Sequence, residues 1–160
     1  MSDSSPSVPI VDHDAIALLQ TDHDELADLF ERYAALAADG VPADERQDAA
    51  EELCSFLLVH ATIKEEVFYP AVREVIDEEY LIDEALIELD SARALIDEIQ
   101  SGDPTQPRYD TQVKILQEIL ASHFEGERNE LFPRLRETSL DLEELGADLE
   151  CTSGDAAINR

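Results

Sequence analysis

The chain has 160 residues, of which 44% are hydrophobic, and its 39 acidic and 11 basic side chains give a formal net charge of −28. This length predicts one domain with a sizeable core. The shortage of Lys and Arg argues against nucleic acid and anionic membranes as partners, because phosphate contacts need basic side chains. No apolar run approaches the ~18 residues of a membrane span, and the start lacks a signal peptide's basic and apolar regions. We therefore expect a soluble cytoplasmic protein whose two cysteines, Cys54 and Cys151, are free thiols.

The first predicted helix follows a Ser- and Pro-containing stretch, residues 1–11, that we expect to be a disordered tail. Asp12 or Asp14 can cap this helix, and Gly40 with Pro42 ends it. Apolar residues recur every three to four positions, which indicates one buried helical face. The inward positions are Ile16, Leu19, His23, Leu26, Phe30 and Tyr33.

The next two helices show the same periodicity. The second begins near Ala43 or Asp44, and Pro70 is expected to kink or interrupt it, because proline cannot donate to the helical ladder. The third runs from about Glu79 to Ser101, before Gly102 and Pro104. The stripes are Ala49, Leu53, Phe56, Leu57, His60, Ile63 and Val67 in the second helix, and Ile82, Leu86, Leu89, Ile96 and Ile99 in the third.

The fourth predicted helix begins near Tyr109 and has Pro133 near its end, and residues 139–146 predict a short fifth helix. Its stripe is Val113, Leu116, Leu120, His123, Glu127 and Leu131. Amphipathic helices with short connections favour an all-α, antiparallel up-down-up-down four-helix bundle. We expect the domain to span residues 12–149, the chain to be monomeric, and residues 150–160 to form a disordered tail.

Three of the four histidines lie on the predicted inward stripes. The antiparallel arrangement can bring His23, early in its helix, to the level of His60 and His123, which lie late in theirs. A lone His on an apolar stripe is usually a hydrogen-bonded core residue, but three on three helices favour metal ligation. Glu127 shares a face with His123, and a buried carboxylate beside neutral imidazoles needs a cation. Imidazole and carboxylate suit iron, with zinc or manganese as alternatives. His13 is expected to be exposed.

Two stretches of the chain match one another. His60–Pro70 and His123–Pro133 each place a His first, acidic residues four to six positions on, an aromatic residue near the end, and Pro ten residues after the His. They differ at the position four after the His, where the second has Glu127 and the first has Lys64.

These segments, with Thr21–His23 and Ser91–Ile96, resemble the hemerythrin-like, HHE cation-binding domain family. The resemblance covers residues 12–137. It implies a four-helix bundle with a carboxylate-bridged di-iron site. Such sites bind dioxygen, or serve in sensing and handling iron, oxygen, nitric oxide or peroxide.

Two departures from the family pattern affect the expected metal centre. Lys64 stands where the family has Glu, and Leu89 stands where its third helix carries a ligand His. His23, His60, His123 and Glu127 carry over, which predicts one ion more readily than two. Glu65 is a tentative further ligand. On a regular helix its side chain would point away from His60, and only a π-bulge would turn it inward.

Lys64 itself has two readings. Its ammonium can occupy the place of a second metal ion and neutralise Glu127, or its side chain can snorkel to solvent. The leading functional hypothesis is a hemerythrin-like protein that binds metal, most readily iron, together with a small diatomic or peroxide ligand. The alternative is a metal-free bundle that serves as an interaction or stress-response module. No nucleophile–base pair or phosphate loop supports independent catalysis, so an enzyme acting on peroxide or nitric oxide would rest on the resemblance alone.

Overall fold

The computed structural model describes residues 14–158, and every regular element among them is helical. The predicted N-terminal tail and His13 lie outside the described residues. The helices are α1 (Ala15–Ala38), α2 (Ala43–Ile63), α3 (Tyr69–Arg73), α4 (Glu79–Gln100), α5 (Pro107–Gly126), α6 (Phe132–Arg136) and α7 (Leu142–Ile158). In this described part, no helix is long and apolar enough to cross a membrane.

Helix α1 begins and ends as its sequence indicates. The Asp14 carboxylate accepts a hydrogen bond of 2.8 Å from the backbone N–H of Ala17, which satisfies a donor that the first turn leaves free. Gly40 follows the helix with φ of 69°, a left-handed conformation that costs glycine little. The whole predicted stripe of α1 is buried, which aligns His23 with the core.

The interruption expected at Pro70 takes the form of a π turn, and a second π turn precedes Pro133. One π turn, Lys64–Phe68, joins α2 to α3, and a second, Glu127–Leu131, joins α5 to α6. The N–H of Tyr69 donates to the carbonyl of Lys64, five residues back, and Phe132 does the same to Glu127. Proline lacks an N–H and clashes with the carbonyl four residues before it, and a wider turn accommodates that clash. Both Lys64 and Glu127 thus begin a π turn.

The elements form the predicted antiparallel four-helix bundle. Helix α1 packs on α2, α4 packs on α5, and α2–α4 and α1–α5 contacts close the bundle. Helix α7 lies across α1 and α2 and buries Leu145 and Leu149. It extends to Ile158, beyond the predicted helix of residues 139–146 and into the predicted tail, because a started helix gains one hydrogen bond for each residue added.

Two apolar clusters fill the bundle. One lies at the end covered by α7 and includes Leu19, Phe68 and Leu131, whereas the other includes Leu26, Leu57 and Leu120. Along α1, α2 and α5 the residues between these clusters are polar and buried. This polar layer consists of His23, His60, Lys64, His123 and Glu127.

Candidate metal centre

His60 presents an unshared nitrogen lone pair to the polar layer. Its Nδ1 lies 2.9 Å from Oδ2 of Asp22, so Nδ1 carries the proton and donates it to the carboxylate. Its Nε2 is buried and has no hydrogen-bond partner among the described residues. Burial holds the pKa of His60 well below its ordinary value, which keeps the ring neutral.

His23 also lies in this layer with unsatisfied nitrogens. Its ring stacks on Phe124, with centroids 3.7 Å apart and planes 14° from parallel. The Nε2 of His23 lies 3.3 Å from Oε1 of Glu127, but the atoms are not aligned for a hydrogen bond, and neither ring nitrogen has a partner in residues 14–158. Burial lowers the pKa of His23 to about 4, so this ring too is neutral near pH 7.

Lys64 occupies the other half of the layer. Its Nζ donates to Oε1 of Glu127 at 2.7 Å and to Nε2 of His123 at 2.8 Å. The His123 ring can accept at Nε2 because its Nδ1 donates to Oε1 of Glu88, 2.8 Å away. Nζ also lies 5.3 Å from the centre of the Phe124 ring, within cation–π range. The ammonium is thus surrounded by an anion, a lone pair and an aromatic face.

Glu127 accepts contacts at both oxygens. The Tyr69 hydroxyl donates to Oε2, while Lys64 holds Oε1. Burial alone would raise the pKa of Glu127, but the Lys64 ammonium takes this pKa well below its usual range. Burial, reinforced by Glu127, raises the pKa of Tyr69 well above its usual value, so the hydroxyl remains a donor.

Glu65, the tentative ligand, lies apart from the polar layer. The π turn that would turn it inward does form, but the inward position belongs to Lys64. The Glu65 carboxylate instead accepts two hydrogen bonds from Arg93 on α4, at 2.7 and 3.2 Å. Leu89, at the position of the family's ligand His, is fully buried in the apolar cluster near α7.

The structure therefore brings together four of the five residues singled out in the sequence: His23, His60, His123 and Glu127. It adds three supporting residues that sequence reasoning missed: Asp22, Tyr69 and Glu88. Tyr69 lies inside the His60–Pro70 stretch, and Asp22 directly precedes His23. Their closeness in sequence to the predicted ligands is the one feature that could have identified these two residues. Nothing in the sequence distinguishes Glu88 from its acidic neighbours.

The two halves of the layer differ in their fit to a metal ion. The buried, unpartnered nitrogens of His23 and His60 are donors of the kind that a cation satisfies. On the other side, Lys64 already satisfies His123 and Glu127. Among the described residues, no three His, Cys, Asp or Glu side chains form a ready-made metal site. The nitrogens that could accept a cation therefore lie on the His23–His60 side, whereas Lys64 occupies the corresponding atoms on the other side.

A surface cleft leads towards the layer between α4 and the second π turn. It is narrow and reaches His123 and Glu127. Three further carboxylates line it, those of Glu84, Glu88 and Glu130. An acidic opening of this kind attracts cations towards the buried residues.

Comparisons with known proteins agree with this architecture. The family model described as Hemerythrin HHE cation binding domain matches residues 14–135. A solved structure of a hemerythrin HHE cation binding domain-containing protein from Mycobacterium kansasii superposes with a TM-score of 0.74 and 21% sequence identity, covering 91% of this chain and 88% of that chain. At that identity the likeness shows the fold. No curated protein matches the sequence.

Proposed function

The chain belongs to the hemerythrin HHE cation binding domain family, and we propose that it binds one transition-metal ion, preferably iron, in the half of the centre that faces His23 and His60. The observation that carries this proposal is a pair of buried imidazoles in which both ring nitrogens of His23 and the Nε2 of His60 have no partner among the described residues. Leaving such nitrogens buried and unsatisfied is costly, and a bound cation would satisfy the one lone pair that each neutral ring offers.

The side chains that would hold the ion are His23 and His60, with Glu127 as a third because a carboxylate oxygen keeps a further lone pair beside its bond to Lys64. His23 and Glu127 would hold the ion together, because the nearest ligand atoms of the two side chains are neighbours. The Nε2 of His23 and Oε1 of Glu127 are 3.3 Å apart. His123, the fourth ligand expected from the sequence, is held by Lys64 instead. Asp22 fixes the tautomer of His60 and so directs its lone pair at Nε2.

A single iron with few protein ligands would leave positions open for a small diatomic molecule or peroxide. We propose ligand binding or sensing as the physiological role, with oxygen, nitric oxide, peroxide or iron itself as the signal. The protein's own contribution is to exclude water and to keep the imidazoles neutral. Phe124 covers one face of His23, and burial holds the pKa of both His23 and His60 low.

Metal counting tests the proposal. Chain purified without a His tag, stripped with chelator and reloaded with ferrous iron should hold close to one ion per chain by elemental analysis. His60→Gln and His23→Gln should each lose that ion while circular dichroism stays helical, and His13→Gln, at the histidine that the sequence does not predict to be a ligand, should keep it. A folded natural chain that retains no iron, zinc or manganese would refute the proposal.

The metal-free alternative also has an observation in its favour. Lys64 neutralises Glu127 without any ion, so the layer is electrically balanced as it stands. A chain that carries no metal would then be a helical interaction module. The same elemental analysis decides between the two functions.

A further inference from the structure

We propose that the Lys64 ammonium takes the place of a metal ion beside His123 and Glu127, and so limits the number of metal ions that the chain can hold. This inference deepens the proposed function and rests on it only for the ion bound by the natural chain. Its evidence is the placement of one side chain, that of Lys64.

The first observation is burial. Lys64 is 0% exposed, so its ammonium does not snorkel to solvent, although lysine is almost never fully buried unless it is paired. The chain has one other lysine, Lys114 on α5, and that side chain is exposed. Enclosing a cation in the core of a protein with so few basic residues indicates that the charge is required there.

The second observation is the set of atoms around Nζ. They are an imidazole nitrogen at 2.8 Å and a carboxylate oxygen at 2.7 Å, the same donor types that bind iron or zinc. A metal ion would approach those atoms to about 2.0–2.2 Å. An ammonium already in contact with both excludes a metal ion from the same space.

The third observation is that the backbone and neighbouring side chains build this position. Lys64 begins the first π turn and Glu127 begins the second, so the two turns place the charged partners opposite one another. Tyr69 and Glu88 hold the outer sides of Glu127 and His123 by hydrogen bonds. The arrangement is therefore complete without a second ion.

The test is a metal titration of four proteins: the natural chain, Lys64→Glu, Lys64→Met and the matched control Lys114→Met. We expect Lys64→Glu to bind one more ferrous ion per chain than the natural protein and the control. Metal at about one hundred times the dissociation constant should raise its melting temperature by about 5–10 °C more than that of the natural chain. Lys64→Met should melt lower than the natural chain without metal and should recover part of that loss with metal.

The outcomes separate this inference from the proposed function. A natural chain with no ion and a Lys64→Glu chain with one would refute the proposed function and support the role of Lys64. One ion in both would support the proposed function and overturn the inference. Equal counts in folded Lys64→Met and the natural chain would also overturn the inference, whatever the count.

A measurement on the natural chain covers the case in which the variants do not fold. An amine-acylating reagent, followed by peptide mass spectrometry, should modify Lys114 quickly and Lys64 only after unfolding, with or without added metal. Equal rates at the two lysines would overturn the inference.

Discussion

The pairing of Lys64 with Glu127 predicts strong energetic coupling between two residues that lie 63 positions apart in sequence. In metal-free protein, Lys64→Met leaves a buried carboxylate without its cation, and Glu127→Gln leaves a buried ammonium without its anion. Removing one partner of a buried pair costs about 3–5 kcal/mol. For a chain of this length, that loss lowers the melting temperature by roughly 6–20 °C.

The double variant should be much less destabilised than the sum of the two single variants. It removes both charges together, and exchange of a whole buried pair for uncharged side chains is often close to neutral. We expect a coupling of about 3 kcal/mol in a double-mutant cycle. Urea unfolding at pH 7 with chelator, followed by circular dichroism, measures it.

An exposed ion pair provides the matched control for this cycle. Arg73 donates to Asp83 at 3.0 Å, and both side chains are exposed. The cycle with Arg73→Met and Asp83→Asn should give a coupling below about 1 kcal/mol, because water screens the pair. If the changes at residues 64 and 127 are additive within error, the buried ion pair does not exist and the reasoning about Lys64 fails.

Two further predictions concern solution conditions. The free energy of unfolding of metal-free protein should show a net fall of about 2–3 kcal/mol between pH 7 and pH 5, because burial depresses the pKa of His23 and His60 and the unfolded chain therefore takes up protons first, a term of about 4 kcal/mol. Burial raises the pKa of Asp22 to about 6, which gives the folded state a proton in the same range and offsets part of the loss. Urea titrations at the two pH values check this; His23→Gln should lessen the fall, and equal stability at both values would contradict it. The melting temperature should also rise between low and about 0.5 M sodium chloride, because salt screens the repulsion within a chain of net charge −28, and an unchanged midpoint would count against this.

The helices could be predicted because each has a single apolar stripe and an identifiable stop. The α1 stripe, the Asp14 cap and the turn at Gly40 follow from residue type and spacing. The π turns did not follow in the same way. Pro70 and Pro133 signal an interruption, but the sequence does not distinguish a kink from an inserted wide turn.

The same limit explains what could be foreseen of the site. His23, His60 and His123 lie on regular helical stripes, so their meeting could be argued from periodicity. The orientation of residues 64 and 65 depends on the first π turn, where side chains no longer follow the 100° step of an α-helix. The hydrogen bond between Glu65 and Arg93 joins residues 28 positions apart, and no local sequence pattern predicts it.

The polar layer between the two apolar clusters also fixes the helices along their axes. Leucine and alanine stripes repeat at every turn, so apolar packing alone would tolerate a slip of one helix by one turn, about 5.4 Å. Such a slip would separate Nζ of Lys64 from Oε1 of Glu127, now 2.7 Å apart, and would leave both charges buried alone. The layer thus fixes the register of the helices, because only one axial alignment of α2 and α5 keeps its charges paired.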